Sequence, residues 1–587
     1  MNILIEPLYI GIIQTFISFS LISGIIFIGN LINSFFFKKY NFIFFDLLIG
    51  LIIVSQLIKI FTYLGLFNKF SYFLSYFIVL FGIYNFKKLI KFLKPKNFSI
   101  NISKIDWIII VLISLFFLIS IAPPSMADAL NYHYGVPLYL IQYNELPNIN
   151  TWFHSAMIGN GEMINSLAII IGSDNFGSLI QFSSLILFFK FLKKEVIKKE
   201  KISFIIIFII SSPTILQLIS GPKFLLLPQL MTASALYLFI KLKNIKVIDF
   251  IFIGILLIGA TQFKLSFIIS GSILGILTFY KAFFHNKIII LLWSAVMSVF
   301  FFLPTLIWNL SHVLNFNLIN IFASIPNEMI ESLKLYRENK FFYPLNLLIP
   351  DSIGKISAVI GFQFLILFFI PKKTREFKYI ILIIVLTTSL HYFLGMNVSR
   401  IYFEFILWLA ISIIFIDSKK EKFNFYTKLI LPQLLLVFCF SLYFAIVSFP
   451  SVFSIKSRDN FMIKNSLNYE AIKWVNKTIP ENAKIFTNLR SVAFLKNKFI
   501  TNEPLVYGLS KEKLRYYFDS IKKNKINYFV IASNSSDGHQ LENCLDDKYA
   551  ESKKFTRSTR NPFNRNSTYI VSIYKFNYKK LPNCAKY

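Results

Sequence analysis

Apolar stretches of bilayer length, or a little less, recur near residues 8–33, 42–66, 70–86, 105–122, 176–192, 202–220, 224–240, 248–263, 265–280, 288–307, 355–370, 379–396, 401–416 and 429–449. At about 1.5 Å rise per residue most of them can carry a helix across the hydrocarbon core of a membrane, while 248–263 and 265–280 are short for one crossing and leave soft helix boundaries. The pattern predicts a polytopic α-helical membrane protein with about fourteen transmembrane helices. The joints alternate between Lys-rich, such as the cluster Lys87, Lys88, Lys91, Lys94 and Lys96, and Lys-poor. Because Lys and Arg are retained on the cytoplasmic side, the alternation sets an orientation with both termini outside. The first charge, Glu6, precedes the first run without a basic segment, which argues for an outside-entering helix and against a cleaved leader.

Periodicity changes from about Ser457 onward. "NYEAIKWVNKTIPENAKIFTN" reads as an amphipathic helix, a turn and a strand; "KEKLRYYFDSIKKNKINYFVIAS" as helix and strand; "STYIVSIYKF" as a closing strand. The chain thus divides into an N-terminal transmembrane block (1–104), a transmembrane core (105–456) and a small C-terminal α/β extracytoplasmic domain (457–587). Within the core, residues 123–175 form a long outer loop with two amphipathic stretches that can lie along the interface.

Composition agrees, with 56% hydrophobic residues and abundant Phe and Lys. The formal charge of +32 raises the question of a nucleic-acid partner. The Lys residues lie in short clusters between apolar runs, however, and no basic segment with interleaved aromatics stands out, so nucleic acid is set aside. Of three cysteines, Cys439 falls in the last span, and Cys544 and Cys584 fall in the tail. A disulfide in an oxidising compartment and two free thiols both remain open for the tail pair.

The outer loop has no Lys or Arg but carries Asp128, His133, Glu145, His154, Glu162 and Asp174. Asp128 follows Pro123–Pro124 at the end of a span and heads a predicted helix. It can be a helix cap, or a carboxylate held in a low-dielectric place for chemistry. Lys264, between two apolar runs, must snorkel to the interface or pair with an anion. Arg400 heads a span from outside and can grip an anion bidentately or anchor the interface. Lys223 in "SGPKFLL" reads as an interface anchor. His, Asp and Glu show no tight metal-ligand spacing.

Taken with later fragments, these residues resemble a known family. An Asp after Pro-Pro beyond a span, then "YH", a Pro four residues on and "EM" some thirty residues later resemble the first outer loop of bacterial GT-C glycosyltransferases. That superfamily includes protein O-mannosyltransferases and aminoarabinose transferases. "GATQFKLS" around Lys264, "LIWNL" at Trp308–Asn309, "ENKFFYPLNL" through Tyr343–Pro344, "NVSRIYFE" around Arg400 and the closing α/β domain are similar in the same order. The first three spans look like an added block.

The resemblance implies an inverting glycosyltransferase at the outer face of the inner membrane, moving a sugar from a polyprenyl-phosphate donor to an acceptor hydroxyl on a lipid, glycan or protein. It implies Asp128 as the catalytic base, and His133, Glu162, Lys264, Tyr343 and Arg400 as substrate-binding residues. The superfamily is mixed on divalent metal use, and the sequence names no metal ligand. The predicted topology puts Asp128, Glu162, Lys223, Lys264, Tyr343 and Arg400 on one side. Two alternatives are an O-antigen ligase or polymerase of another membrane fold and a transporter. The first would place Arg and His pairs in a late loop; the second would break paired helices at mid-bilayer with ionisable or Gly/Pro residues.

Overall fold

A computed structural model describes residues 6–93, 104–147, 151–152, 154–155, 158–196, 198–283, 287–299, 345–350, 353–369, 374–394, 398–416, 420–502, 518–519, 521–533, 545–558 and 567–577. The expectations for Trp308, Asn309, Tyr343, Pro344, Cys544 and Cys584 lie outside the described residues.

The chain is a helical membrane protein with a C-terminal sheet unit. Its first helices are α1 (Gly11–Phe36), α2 (Ile43–Tyr63), α3 (Phe67–Leu93) and α4 (Lys104–Ser120). After them come α5 (Gly135–Tyr143), α6 (Asn160–Ile170), α7 (Phe176–Glu195), α8 (Lys199–Ile210), α9 (Thr214–Ile219) and α10 (Leu226–Lys241). The bundle continues with α11 (Val247–Phe263), α12 (Ile268–Phe283), α13 (Lys287–Met297), α14 (Arg375–Phe393), α15 (Ser399–Ile414) and α16 (Lys420–Ser448). Among the described residues, six helical segments are long and apolar enough to cross a membrane: Gly11–Phe36, Ile43–Thr62, Phe176–Glu195, Leu265–Phe283, Arg375–Phe393 and Lys422–Val452. Shorter apolar helices include α10, α11 and α13.

Two expected spans are not single helices. The run 202–220 breaks into α8 and α9 at Ser211–Pro213, where the proline disfavours helix at Ser212 and cannot donate to the preceding turn. The run 355–370 forms two short 3₁₀ segments, Ile353–Ala358 and Gln363–Phe369, separated by a turn in which Gly361 takes a φ of 87°.

The first three helices are built into the core. α1 packs along α2 and α3, with Asn33 Nδ2 donating to Asp46 Oδ1 at 2.7 Å and Asn30 Nδ2 to Asp46 Oδ2 at 3.1 Å. Their other faces hold the segment 123–175. Ser18 on α1 shares a hydrogen bond with Ser173 at 2.6 Å, Gln14 Oε1 accepts from the Asp174 N–H at 3.1 Å, and Ser55 on α2 accepts from Asn160 Nδ2 at 2.7 Å.

The C-terminal unit begins with α17 (Ile455–Asn465) and α18 (Tyr469–Thr478), which buries Tyr469, Ile472 and Val475 at helical spacing. Five strands follow in the order β2 (Lys498–Thr501), β1 (Lys484–Thr487), β3 (Tyr528–Ala532), β7 (Val571–Phe576) and β4 (Leu545–Glu551). β1 runs parallel to β2 and β3, and β7 antiparallel to β3 and β4; β5 (Phe555–Thr556) and β6 (Thr568–Tyr569) form a separate small ladder. This unit docks on the 123–175 segment. The Thr501 N–H donates to the Thr151 carbonyl at 2.9 Å, Gln142 Nε2 to the Lys496 carbonyl at 3.1 Å, and Trp152 meets Phe499 edge-to-face at 5.0 Å.

Candidate functional site

The site starts from an irregular helix. The helical stretch that leads into α5 widens over Ala129–His133 into a π-turn, closed by the Tyr134 N–H donating to the Ala129 carbonyl at 2.9 Å. Single π-turns are strained insertions that recur at functional sites. Here the turn puts Asp128, Tyr132 and His133 in one place. Asp128 makes no side-chain cap bond, so the expectation of a carboxylate held by backbone N–H groups is not met. Its carboxylate takes cations instead.

Lys223 Nζ lies 2.6 Å from Asp128 Oδ2, and Arg400 Nη1 lies 3.8 Å from the same oxygen. Lys223, which reads from the sequence as an interface anchor, is 7% exposed and forms the shorter of the two ion pairs. A tight loop fixes it. The buried amide of Gln181 donates to the Gly221 carbonyl at 2.7 Å and accepts from the Leu225 and Leu226 N–H groups at 3.1 Å each, which caps α10 and clamps the loop. Gly161 on α6 lets the loop come close: a Cβ there would fall 2.4 Å from the Phe224 ring. Arg400, in the first turn of α15, is held from α10, where Gln229 Nε2 donates to its carbonyl at 2.6 Å. The packing of α10 against α15 therefore brings the two cations to one carboxylate.

Electrostatics follow this geometry. Burial alone pushes the Asp128 carboxyl up, but Lys223, Arg400 and Arg490 outweigh it and hold the group well below the usual carboxylate range. Burial lowers the Lys223 ammonium to about 8, against the pull of Asp128. Arg490 is exposed and comes from the sheet unit, just before the 3₁₀ turn Val492–Phe494 that packs on the π-turn. Neither Lys223 nor Arg490 had been assigned to the site from sequence.

His133 and Glu162, expected to contact substrate, lie behind this cluster. Each side chain is 2% exposed; His133 Nδ1 is hydrogen-bonded to Glu162 Oε1, while Glu162 Oε2 accepts from the Gly159 N–H at 2.6 Å at the start of α6. Burial drives the His133 pKa down to about 4 despite the Glu162 carboxylate. The neutral His133 ring, held by the Glu162 carboxylate, packs against Tyr132, whose ring lies 4.1 Å from it and stacks on His154 at 5.8 Å. Lys264, in the extended joint between α11 and the turn preceding α12, reaches the other side of this group, with Nζ 5.3 Å from the Tyr132 ring centroid. Tyr343 lies outside the described residues. The structure thus brings together Asp128, Arg400 and Lys264 and adds Lys223 and Arg490.

The donor set does not suit a divalent cation. A metal at Asp128 would meet the Lys223 ammonium on the same oxygen, and Glu162 is already taken by His133 and Gly159. Among the described residues no group of three or more His, Cys, Asp or Glu side chains is placed to hold a metal.

Residues 81–462 match the DUF1420 N-terminal domain, and residues 464–587 match the DUF1420 C-terminal domain. The chain belongs to the DUF1420 family. No curated protein matches it. In this DUF1420 chain Asp128, Lys223, Lys264 and Arg400 fall within the N-terminal domain match and Arg490 within the C-terminal one, so the cation-rich site draws on both.

Proposed function

We propose that this DUF1420 chain is a GT-C-like inverting glycosyltransferase, with about fourteen transmembrane helices, in a bacterial inner membrane. Its site and C-terminal unit face the periplasm. It moves a sugar from a polyprenyl-phosphate donor to an acceptor hydroxyl. The observation that carries the reading is the convergence of Lys223 and Arg400 on one oxygen of Asp128. A lipid-phosphate donor needs cations for its phosphate and a base beside them for the acceptor, and this cluster has both. An apolar cleft of about 320 Å³ between α11, α12 and α13 has room for the first few isoprene units of a polyprenyl tail, the rest of which stays in the bilayer. Its lining includes Leu257, Thr261, Ile268 and Ile276, and so begins on either side of Lys264.

In this reading the phosphate is held by Lys223 and Arg400, with Lys264 nearby, and Tyr132 lines the sugar. Asp128 accepts the acceptor's proton as the new C–O bond forms. Attack opposite the leaving phosphate inverts the anomeric carbon. Arg490 closes the site from the sheet unit. Mass spectrometry of lipids and glycans from a deletion strain tests this: a single sugar should be missing, restored by the parent gene and not by Asp128→Asn. An unchanged glycan and lipid profile in the deletion strain would overturn the reading.

A further inference from the structure

Asp128 is unusual for a base, because one of its oxygens is held by two cations. Both cations meet Oδ2, the side chains of Asp128 and Arg400 are each 31% exposed, and that of Lys223 is 8% exposed. The pair is therefore reachable from one side, while the ammonium beneath is held by the Gln181-clamped loop. A buried ammonium left without an anion is costly, and the carboxylate removes that cost. It does so at the position where an incoming anion would need the same cations. Lys223, Arg400 and Arg490 all act on the Asp128 carboxylate.

We propose that Asp128 is an internal counter-ion that the donor's phosphate displaces, so that donor binding frees the base. This rests on the glycosyltransferase reading and adds an order of events. The phosphate oxygens take Lys223 and Arg400, and the carboxylate loses its ion pairs and turns to the acceptor. The bond from acceptor oxygen to anomeric carbon then forms as the anomeric bond to phosphate oxygen breaks. The acceptor proton passes to Asp128, and the electron pair of the broken bond leaves on polyprenyl phosphate, whose added negative charge the two cations hold. Asp128 later returns the proton to water and re-pairs with Lys223. A site without donor keeps its base paired with Lys223 and Arg400 until a phosphate takes those cations.

Binding of undecaprenyl phosphate to the full chain in lipid nanodiscs tests this. Asp128→Asn removes the competitor and should bind about tenfold more tightly than the parent, a change of about 1.4 kcal/mol. Lys223→Met and Arg400→Met should each bind at least tenfold more weakly. Binding by the parent with no gain in Asp128→Asn would overturn the counter-ion role alone, whereas no binding by the parent or Asp128→Asn would overturn the donor assignment and the inference with it. A second measurement needs no variant at the pair: infrared titration of carboxyl groups in the parent, with Asp128 assigned by isotope editing, should move upward on adding undecaprenyl phosphate. Burial, Lys223, Arg400 and Arg490 set that titration, and Tyr132 and Lys264 are the other titratable groups that feel the Asp128 charge. A carboxyl that titrates the same with and without the lipid overturns the proposal.

Discussion

Arg458 and Asp174, 284 positions apart, form a buried ion pair in which Nη2 donates to Oδ2 at 2.7 Å, with side chains 4% and 2% exposed. Arg458 stands on α17, at the entry to the sheet unit, and Asp174 ends the segment that begins with Asp128. Asp174 is itself fixed on both sides: its carbonyl accepts from the Tyr134 hydroxyl and its N–H donates to Gln14 Oε1. The pair thus ties α1, the π-turn and the sheet unit at one point.

Removing one partner leaves a buried charge, which costs roughly 3–5 kcal/mol. Arg458→Met should lower the thermal midpoint of the purified protein and expose the α17–α18 joint to limited proteolysis. Arg458→Met with Asp174→Leu should recover part of the loss, because the uncompensated charge is gone. A single variant as stable and protease-resistant as the parent would show that the pair contributes nothing to docking.

His133 gives a pH-dependent stability with a defined sign. Its ordinary pKa is about 6.5, and burial holds the folded value at about 4. Between these values the unfolded chain binds a proton that the folded chain does not. Stability is therefore full above about pH 6.5 and falls as the pH drops toward 4. Glu162, whose carboxyl is held below its usual range by His133 and Lys264 despite burial, adds its own loss only at lower pH. His133→Asn keeps a donor for Glu162 and removes the titration. The drop in thermal midpoint from pH 7.5 to pH 5 should be smaller in His133→Asn than in the parent; equal drops would remove His133 as the cause.

The sequence made some of this legible and hid the rest for physical reasons. Asp128 and Arg400 could be found because each stands at the end of an apolar run, where a charge has to be explained. Lys223 stands in a similar place, yet its partner lies 95 positions away, and nothing local separates an interface anchor from half of an ion pair. Arg458 and Arg490 sit in a tail so rich in Lys and Arg that composition cannot single them out; only the docking of the sheet unit on the 123–175 segment does. Of the tail's strands β1, β3 and β7 were readable from their apolar residues, whereas β2 and the edge strand β4, whose LDDKYAE is mostly polar, were not. The break at Pro213 was signalled by the proline but outvoted by the apolar content of 202–220, and hydropathy cannot tell a crossing helix from two shorter buried pieces.

Lys223 also predicts how phosphate binding depends on pH. Burial brings its ammonium to about 8, so above that pH the group loses its proton and one of the two phosphate cations disappears. Undecaprenyl phosphate affinity in nanodiscs should fall progressively above about pH 8, well clear of the phosphate's own second ionisation at about pH 6. In Lys223→Arg the guanidinium stays charged, and the fall should vanish even if the absolute affinity changes with the altered geometry. A decline of the same midpoint in both proteins would assign it to another group.

Asp128 carries the last and most demanding prediction, because base and counter-ion roles pull binding and turnover in opposite directions. Asp128→Asn keeps the shape of the side chain but removes both the charge that competes with phosphate and the acceptor of the proton. Sugar transfer, followed by the product that the deletion strain lacks, should fall by roughly two to four orders of magnitude, the usual contribution of general acid–base catalysis. Donor affinity should rise at the same time. A purely structural aspartate would lower both together, since loss of its ion pairs would leave Lys223 and Arg400 disordered. Transfer within about threefold of the parent at equal expression would be less than 1 kcal/mol in the barrier and would end the assignment of Asp128 as base. The base would then have to come from a residue other than Glu162, whose carboxylate is buried against His133 and Gly159.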